Sequence, residues 1–291
     1  MDKLDNQWRI EKVHNNANLQ VVTSLPAGMK FDRQQGKKFY DFYLKFSQDM
    51  YGLLKPGGFF ISFSSPRLYH RMTSAMDDAG FEIRDSIIWL YMQSQAKAMS
   101  LNHFIERENI SLSEKIRLRE ELKGFKTPQL KSCFELIAVA QKPTEGTYLE
   151  NYKKWGVGLI NTNIVIGDEK FPANVLSSEK MIDEIDRVFL VGKPDKKEKG
   201  YNNNHKTVKP LSLMRYLVAI FNMSKRSIVL DPFCGSGTTL IAAKEYGLNF
   251  IGIELNIDYV KIAENRLSNA LVVNGRRTIP SKVENEQGIL I

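Results

Sequence analysis

Cysteine is nearly absent. The 291 residues hold two, Cys133 and Cys234. They stand far apart and lack the close spacing of zinc ligands, so neither a disulfide framework nor a metal site is indicated. No apolar run reaches the ~20 residues that a membrane-spanning helix needs. The opening MDKLDNQW lacks the basic-then-apolar pattern of a secretory signal. No internal repeat or low-complexity block is visible. These absences set the expectation of a cytoplasmic protein with no membrane partner. A hydrophobic fraction of 43% and a charged fraction of 25% are ordinary for a globular chain. The length allows one large α/β domain or two small ones. A net charge of +8 suits a polyanionic partner without identifying one.

The most informative stretch runs from 227 to 266, SIVLDPFCGSGTTLIAAKEYGLNFIGIELNIDYVKIAENR. It reads as a short apolar strand (Ile228-Val229-Leu230), a Gly-rich turn from Asp231 to Gly237, and a helix from Thr238 to about Tyr246. A second strand, Phe250 to Ile253, ends on Glu254, and another helix follows. Open α/β sheets bind nucleotide-like cofactors beyond the carboxyl ends of strands joined in this way. Gly235 and Gly237 lack a Cβ, so the turn can adopt unusual dihedrals and approach a ligand closely. Thr238 and Thr239 open the helix, where free N–H groups and the positive dipole end gather. Glu254 is placed to accept hydrogen bonds from a ribose diol.

The turn is not GxGxxG, and no Lys follows the glycines as a P-loop requires. Asp231 would repel a pyrophosphate and would suit a cationic cofactor bearing an amino acid. The alternative is a purely structural turn. Cys234, inside it, reads as a small filler rather than a nucleophile.

Elsewhere, Leu19 to Thr23 reads as a short strand. Apolar residues at helical spacing from Lys37 to Leu54 predict a buried helix face (Phe39, Tyr40, Phe42, Tyr43, Phe46, Met50, Leu53). Lys55-Pro56-Gly57-Gly58 stops it, and FFISF follows as a strand. A helix over 68–79 and strands over 82–91 and 134–140 complete this half. The segment 93–107 reads as a polar connection with a surface or capping His103, and 111–123 as a charged, solvated helix. From 142 to 204 the composition shifts to short Gly-, Asn- and aromatic-containing pieces without a sustained period. This stretch ends in a lysine-rich surface loop that either serves only as an insert or also contacts phosphates. An amphipathic helix opens after His205-Lys206-Thr207-Val208-Lys209-Pro210.

DPFCGSGTT closely resembles the S-adenosylmethionine motif (DPFxGSGTT) of the amino-methyltransferases that act on DNA. HKTVKP resembles the N-H-x-T-x-K-P element that precedes this motif and lines the cofactor pocket. The resemblance covers about 53 to 267. It implies an α/β, Rossmann-like, S-adenosylmethionine-dependent methyltransferase sheet with a mid-chain target-recognition insert. The implied division is a catalytic-side half (1–141), the insert (142–204) and a cofactor-binding half (205–291). The implied reaction is methyl transfer to the N6 amine of adenine or the N4 amine of cytosine in double-stranded DNA. The implied cofactor residues are Asp231, Phe233, Gly235, Gly237, Thr238 and Glu254, with Thr207 and Lys209; no metal is implied.

One family element is missing. An aromatic amine is a poor nucleophile, and the family activates it with [D/N/S]-P-P-[Y/F]. The first side chain and a Pro carbonyl accept hydrogen bonds from the amine, and the aromatic residue stacks on the flipped base. This chain has no Pro-Pro. Either the motif has decayed to Ser24-Leu25-Pro26-Ala27, or it lies upstream of Met1. The second is favoured, because the D-N-x-W segment that follows the tetrapeptide in the family stands here at Asp5-Asn6-Gln7-Trp8. No catalytic residue is therefore assigned. The rival expectations are a catalytically silent DNA-binding remnant that keeps the cofactor fold, and a methyltransferase for RNA or protein.

Overall fold

A computed structural model describes residues 33–91, 98–163, 165–166, 174–177, 189–190, 194–199, 203, 208–222, 227–270 and 278–279. The expected strand at 19–23, the SLPA stretch, the segment 5–8 and Thr207 lie outside the described residues. In chain order the first elements are α1 (Arg33–Leu53), β1 (Phe59–Ser64), α2 (Tyr69–Asp78) and β2 (Glu82–Leu90). Next come α3 (Asn102–Arg107), α4 (Leu112–Glu121), β3 (Phe134–Gln141), α5 (Tyr148–Trp155), β4 (Val165–Ile166), β5 (Val175–Ser177) and β6 (Phe189–Leu190). The last are α6 (Lys196–Lys199), α7 (Leu211–Phe221), β7 (Ile228–Asp231), α8 (Thr238–Glu245), β8 (Asn249–Gly252), α9 (Ile257–Ser268) and β9 (Thr278–Ile279). The chain divides into two compact units, Met1–Leu90 with Glu135–Ile291, and Tyr91–Phe134. Among the described residues no helix is long and apolar enough to cross a membrane.

In the first unit a five-stranded mixed sheet has the order β1-β3-β2-β5-β6. β1 and β3 are antiparallel, with Phe59 opposite Gln141 and Ser64 opposite Leu136, whereas β2–β5 and β5–β6 are parallel. β7 and β8 form a separate parallel pair, as do β4 and β9. The apolar stripe of α1 supplies the core. Phe39, Tyr43 and Phe46 are buried with Met72, Ala75 and Met76 of α2 and Ala138 and Ala140 of β3. Tyr43 stacks on Phe60 at 6.3 Å and meets Phe46 edge-on at 5.6 Å. Its hydroxyl shares a hydrogen bond with Ser62, so the one polar atom of this fully buried ring is satisfied.

The turn between α1 and β1 is tied down by polar side chains. Gly57 has φ +78°, and a Cβ there would lie 2.4 Å from Asn151 Nδ2. Asn151, wholly buried on α5, donates to the carbonyls of Pro56 and Val157 at 3.0 Å each and accepts from the Glu145 amide at 3.0 Å. Lys142 donates to the carbonyls of Tyr51 and Leu54 at 2.7 and 2.8 Å, a cation at a helix C-terminus.

Three expectations are corrected. The stretch after 142, expected as short pieces without a sustained period, also forms the helix α5. Thr147 and Glu150 make a reciprocal capping box and Gly156 closes the helix in the left-handed region at φ +72°. The lysine-rich loop contains α6, and Glu198 on it accepts from the Leu211 amide at the start of α7. Residues 102–107 are helical rather than a polar connection, and His103 is an exposed residue of α3.

The second unit is small. Ile105 of α3 is buried, whereas α4 buries no residue. Ser111 caps α4 by accepting from the Glu114 amide. The charges of α4 are largely paired: Arg117 with Glu114 and Glu121, and Arg119 with Glu106. Such exposed pairs are screened by water and contribute little, so this is a solvated face as its composition predicts.

Candidate cofactor site

β7 and β8 pair in parallel from Ile228–Asn249 to Asp231–Gly252, so the Gly-rich turn and Glu254 emerge from adjacent strand ends. The backbone closes this corner. The Ile253 amide donates to the Asp231 carbonyl at 2.9 Å, and the Cys234 amide to the Ile253 carbonyl at 3.1 Å. Gly235 and Gly237 have φ of +52° and +81°, the left-handed region expected of a glycine turn. A Cβ on Gly237 would lie 3.0 Å from Ala263 Cβ, so α9 packs where a side chain would be. Gly252 is bare for a similar reason, since a Cβ there would fall 2.3 Å from Leu240 Cδ1 and 3.0 Å from Cys234 Sγ.

The two acids hold the turn from both sides. Asp231 Oδ1 accepts from the Phe233 amide at 3.0 Å, and its carboxylate also takes the Thr239 hydroxyl. The residue is half-buried, but its carboxyl sits where water is scarce. Burial therefore pushes its pKa above the ordinary value, against the opposing pull of those two hydrogen bonds. Glu254 accepts from the Gly235 amide at 3.0 Å through Oε2 and from the Asn256 amide at 2.9 Å through Oε1. A carboxylate has about four acceptor sites, so capacity for a diol remains. Between the acids, the Cys234 thiol is pushed up to about 12 by burial and by the charges of Asp231 and Glu254. It stays protonated, which agrees with its reading as a filler.

The remaining expected residues are used differently. Thr238 is buried, and its hydroxyl accepts from Arg266 at 3.2 Å. No side chain caps the N-terminus of α8, because Gly237 stands at that position. The Phe233 ring remains 41% exposed and sits 5.2 Å from the Phe46 ring. Lys209 pairs with Glu135 on β3, and its ammonium lies 4.6 Å from the Phe63 ring and 5.6 Å from the Trp89 ring. Asp231, Phe233, Gly235, Gly237, Thr238 and Glu254 thus converge on one corner, while Lys209 is engaged by Glu135 of β3.

Two contributors were not foreseen. Arg266 reaches forward from α9 and donates to the Ser236 carbonyl at 2.6 Å and its hydroxyl at 3.0 Å, fixing the turn from behind. Nothing in its spacing marks it. Glu135 could have been found, as a lone acid in the apolar strand FELIAVA requires a partner.

The sequence profile of a DNA methylase family of the N6/N4 type matches residues 20–265. The chain belongs to that family. S-adenosylmethionine is the cofactor of these methylases. The type II methyltransferase M.HindIII of Haemophilus influenzae is 30% identical over 238 residues, 81% of this chain and 71% of M.HindIII. M.HinfI, from Haemophilus influenzae, is 43% identical over 79 residues, 27% of this chain and 22% of M.HinfI. Among solved structures, the cytosine-N4-specific PvuII DNA methyltransferase aligns with a TM-score of 0.53 at 16% identity, over 83% of this chain and 75% of its own. At that identity the likeness establishes the fold, a Rossmann-like α/β methyltransferase sheet. The residues of this methylase fit its family's cofactor: two carboxylates at one glycine turn disfavour a phosphate and favour a ligand carrying positive charge.

Proposed function

We propose that the chain binds S-adenosylmethionine at the 231–254 corner and methylates the exocyclic amine of adenine (N6) or cytosine (N4) in double-stranded DNA. The observation that carries this reading is the pair of carboxylates, Asp231 and Glu254, gripping one left-handed glycine turn. When bound, the cofactor supplies an electrophilic methyl group on a sulfonium. Asp231 would stabilise its positive charge and Glu254 would take its ribose hydroxyls. Phe233 offers an exposed aromatic face, and the uncapped amides at the start of α8 suit an anionic group. Lys209 would act at one remove, by keeping Glu135 of the interior strand β3 paired, and Thr207 is carried only by the motif resemblance.

The division into 1–141, 142–204 and 205–291 is retained as a proposal, with the middle segment reading the target sequence. A protein that modifies DNA in a bacterial cell would act in the cytoplasm. One observation favours a second reading, a silent DNA-binding subunit: the absence of Pro-Pro anywhere in the 291 residues.

Transfer of a labelled methyl group from S-adenosylmethionine to unmethylated duplex DNA separates the two readings. Label in DNA establishes the enzyme and means that a group other than the tetrapeptide activates the amine. A folded chain that binds cofactor and DNA without transfer is the silent subunit.

A further inference from the structure

The second unit holds a feature that methyl transfer leaves unused. Residues 122–131, LKGFKTPQLK, carry three lysines and no acid. The same unit spends its glutamates elsewhere: all five lie between 106 and 121. Glu106, Glu114 and Glu121 are engaged by Arg119 and Arg117. Lys123 reaches Glu120 only at 4.0 Å, and its side chain is 79% exposed. Lys126 and Lys131 are exposed and make no ion pair among the described residues. Between them stand Phe125, 65% exposed, and Leu130, 93% exposed. Large apolar side chains so open to water, on a short run without a compensating acid, call for an anionic partner with apolar surface.

The segment is also held in shape. The Phe125 amide donates to the Leu122 carbonyl at 3.0 Å, and the Thr127 amide to the Met99 carbonyl at 3.0 Å. The Met99 amide returns to the Thr127 hydroxyl at 2.8 Å, and Lys126 forms an antiparallel bridge with Ser100. These clamps use the backbone and the Thr127 hydroxyl, so the side chains of Phe125 and Lys126 are presented rather than used to hold the segment. The entropy cost of ordering a loop on a partner is thereby reduced.

We infer that residues 122–131 form a contact surface for duplex DNA, with Lys126 and Lys131 on phosphates and Phe125 and Leu130 as apolar wedges against the bases. Charge complementarity selects this occupant: three lysines without an acid would repel a second copy of the same segment and would suit a polyanion. The apolar pair adds what phosphates cannot use, contact with the apolar surface of the bases. This inference rests on the DNA-methylation reading and assigns DNA contact to a segment distinct from 142–204.

The test measures binding of the full chain to a fluorescein-labelled unmethylated duplex across a salt series, with cofactor affinity and urea midpoint as controls. Lys126→Ala with Lys131→Ala should reduce the slope of log K against log salt by about 2, since each phosphate contact contributes about 0.9. Phe125→Ala should weaken binding while leaving the slope unchanged. Lys126→Gln with Lys131→Gln provides a second pair should the alanine variant lose stability. A wild-type chain that binds cofactor but not DNA overturns the DNA reading and this surface together. Wild-type DNA binding with an unchanged slope in both lysine pairs overturns the surface alone. Unaltered DNA binding with a changed oligomeric state in Phe125→Ser would make it a protein contact instead, and would also overturn the inference.

Discussion

Asp231→Asn separates the two jobs this carboxylate performs. The substitution keeps an oxygen to accept from the Phe233 amide and the Thr239 hydroxyl, so the turn retains its shape. It removes the negative charge. Hydrogen bonds to charged groups contribute about 1.5–3 kcal/mol against about 0.5–1.5 for neutral ones, so the cofactor should lose roughly 1–2 kcal/mol of binding. That corresponds to an increase in Kd of about 5- to 30-fold. The unliganded fold should respond in the opposite direction. A carboxyl whose pKa is raised on folding binds its proton more tightly in the native chain than in the unfolded one. Its contribution to stability therefore falls as pH rises from the ordinary carboxylate pKa through the raised value. Asn carries no such penalty, so urea unfolding of the variant at pH 7 should show equal or greater stability, with the pH dependence above the ordinary carboxylate pKa flattened. In the wild type, cofactor affinity should fall as pH drops through the raised pKa, because protonation neutralises the group that meets the cation. Calorimetric titration and urea melts over a pH series read both arms. A variant that binds cofactor as tightly as wild type would show that Asp231 only shapes the turn. A destabilised unliganded variant would refute the claim that burial burdens this charge.

Lys209 and Glu135, with side chains 19% and 12% exposed, should behave as a buried pair. Lys209→Met alone should cost about 3–5 kcal/mol in urea unfolding by stranding Glu135, and the double variant Lys209→Met, Glu135→Leu should recover most of it. Cofactor affinity that recovers with stability would assign Lys209 to the sheet, whereas affinity that stays low would put it in the cofactor pocket. Cys234 should resist iodoacetamide at pH 8 in the folded protein, because a thiol at about 12 is ionised in only about one molecule in ten thousand. Mass mapping that finds it alkylated before unfolding would contradict its position between two carboxylates.

The 231–254 corner was legible because its physics is local. Gly235 and Gly237 need positive φ within one turn, Asp231 and Glu254 end adjacent strands, and each demand falls within 24 residues of chain. The α1 stripe was legible for the same reason, with a single period carrying Phe39, Tyr43 and Phe46 into one core. α5 was equally local, and its Thr147–Glu150 box and Gly156 were in plain view. Its eight residues nevertheless give too little periodicity to stand out against the glycines around them. The corner's support was not legible. Arg266 lies 30 residues from Ser236, and Lys209 lies 74 residues from Glu135. A charge in an apolar strand or helix announces that a partner must exist, but its identity is set by which segments the sheet brings together. Residues 122–131 stand between these cases. The pattern of lysines without acids could be read from the chain, but its meaning depends on knowing that Glu106, Glu114 and Glu121 are already spoken for and that Phe125 and Leu130 face water. Composition gives the charge of a segment, and the fold decides how much of it is left for a partner.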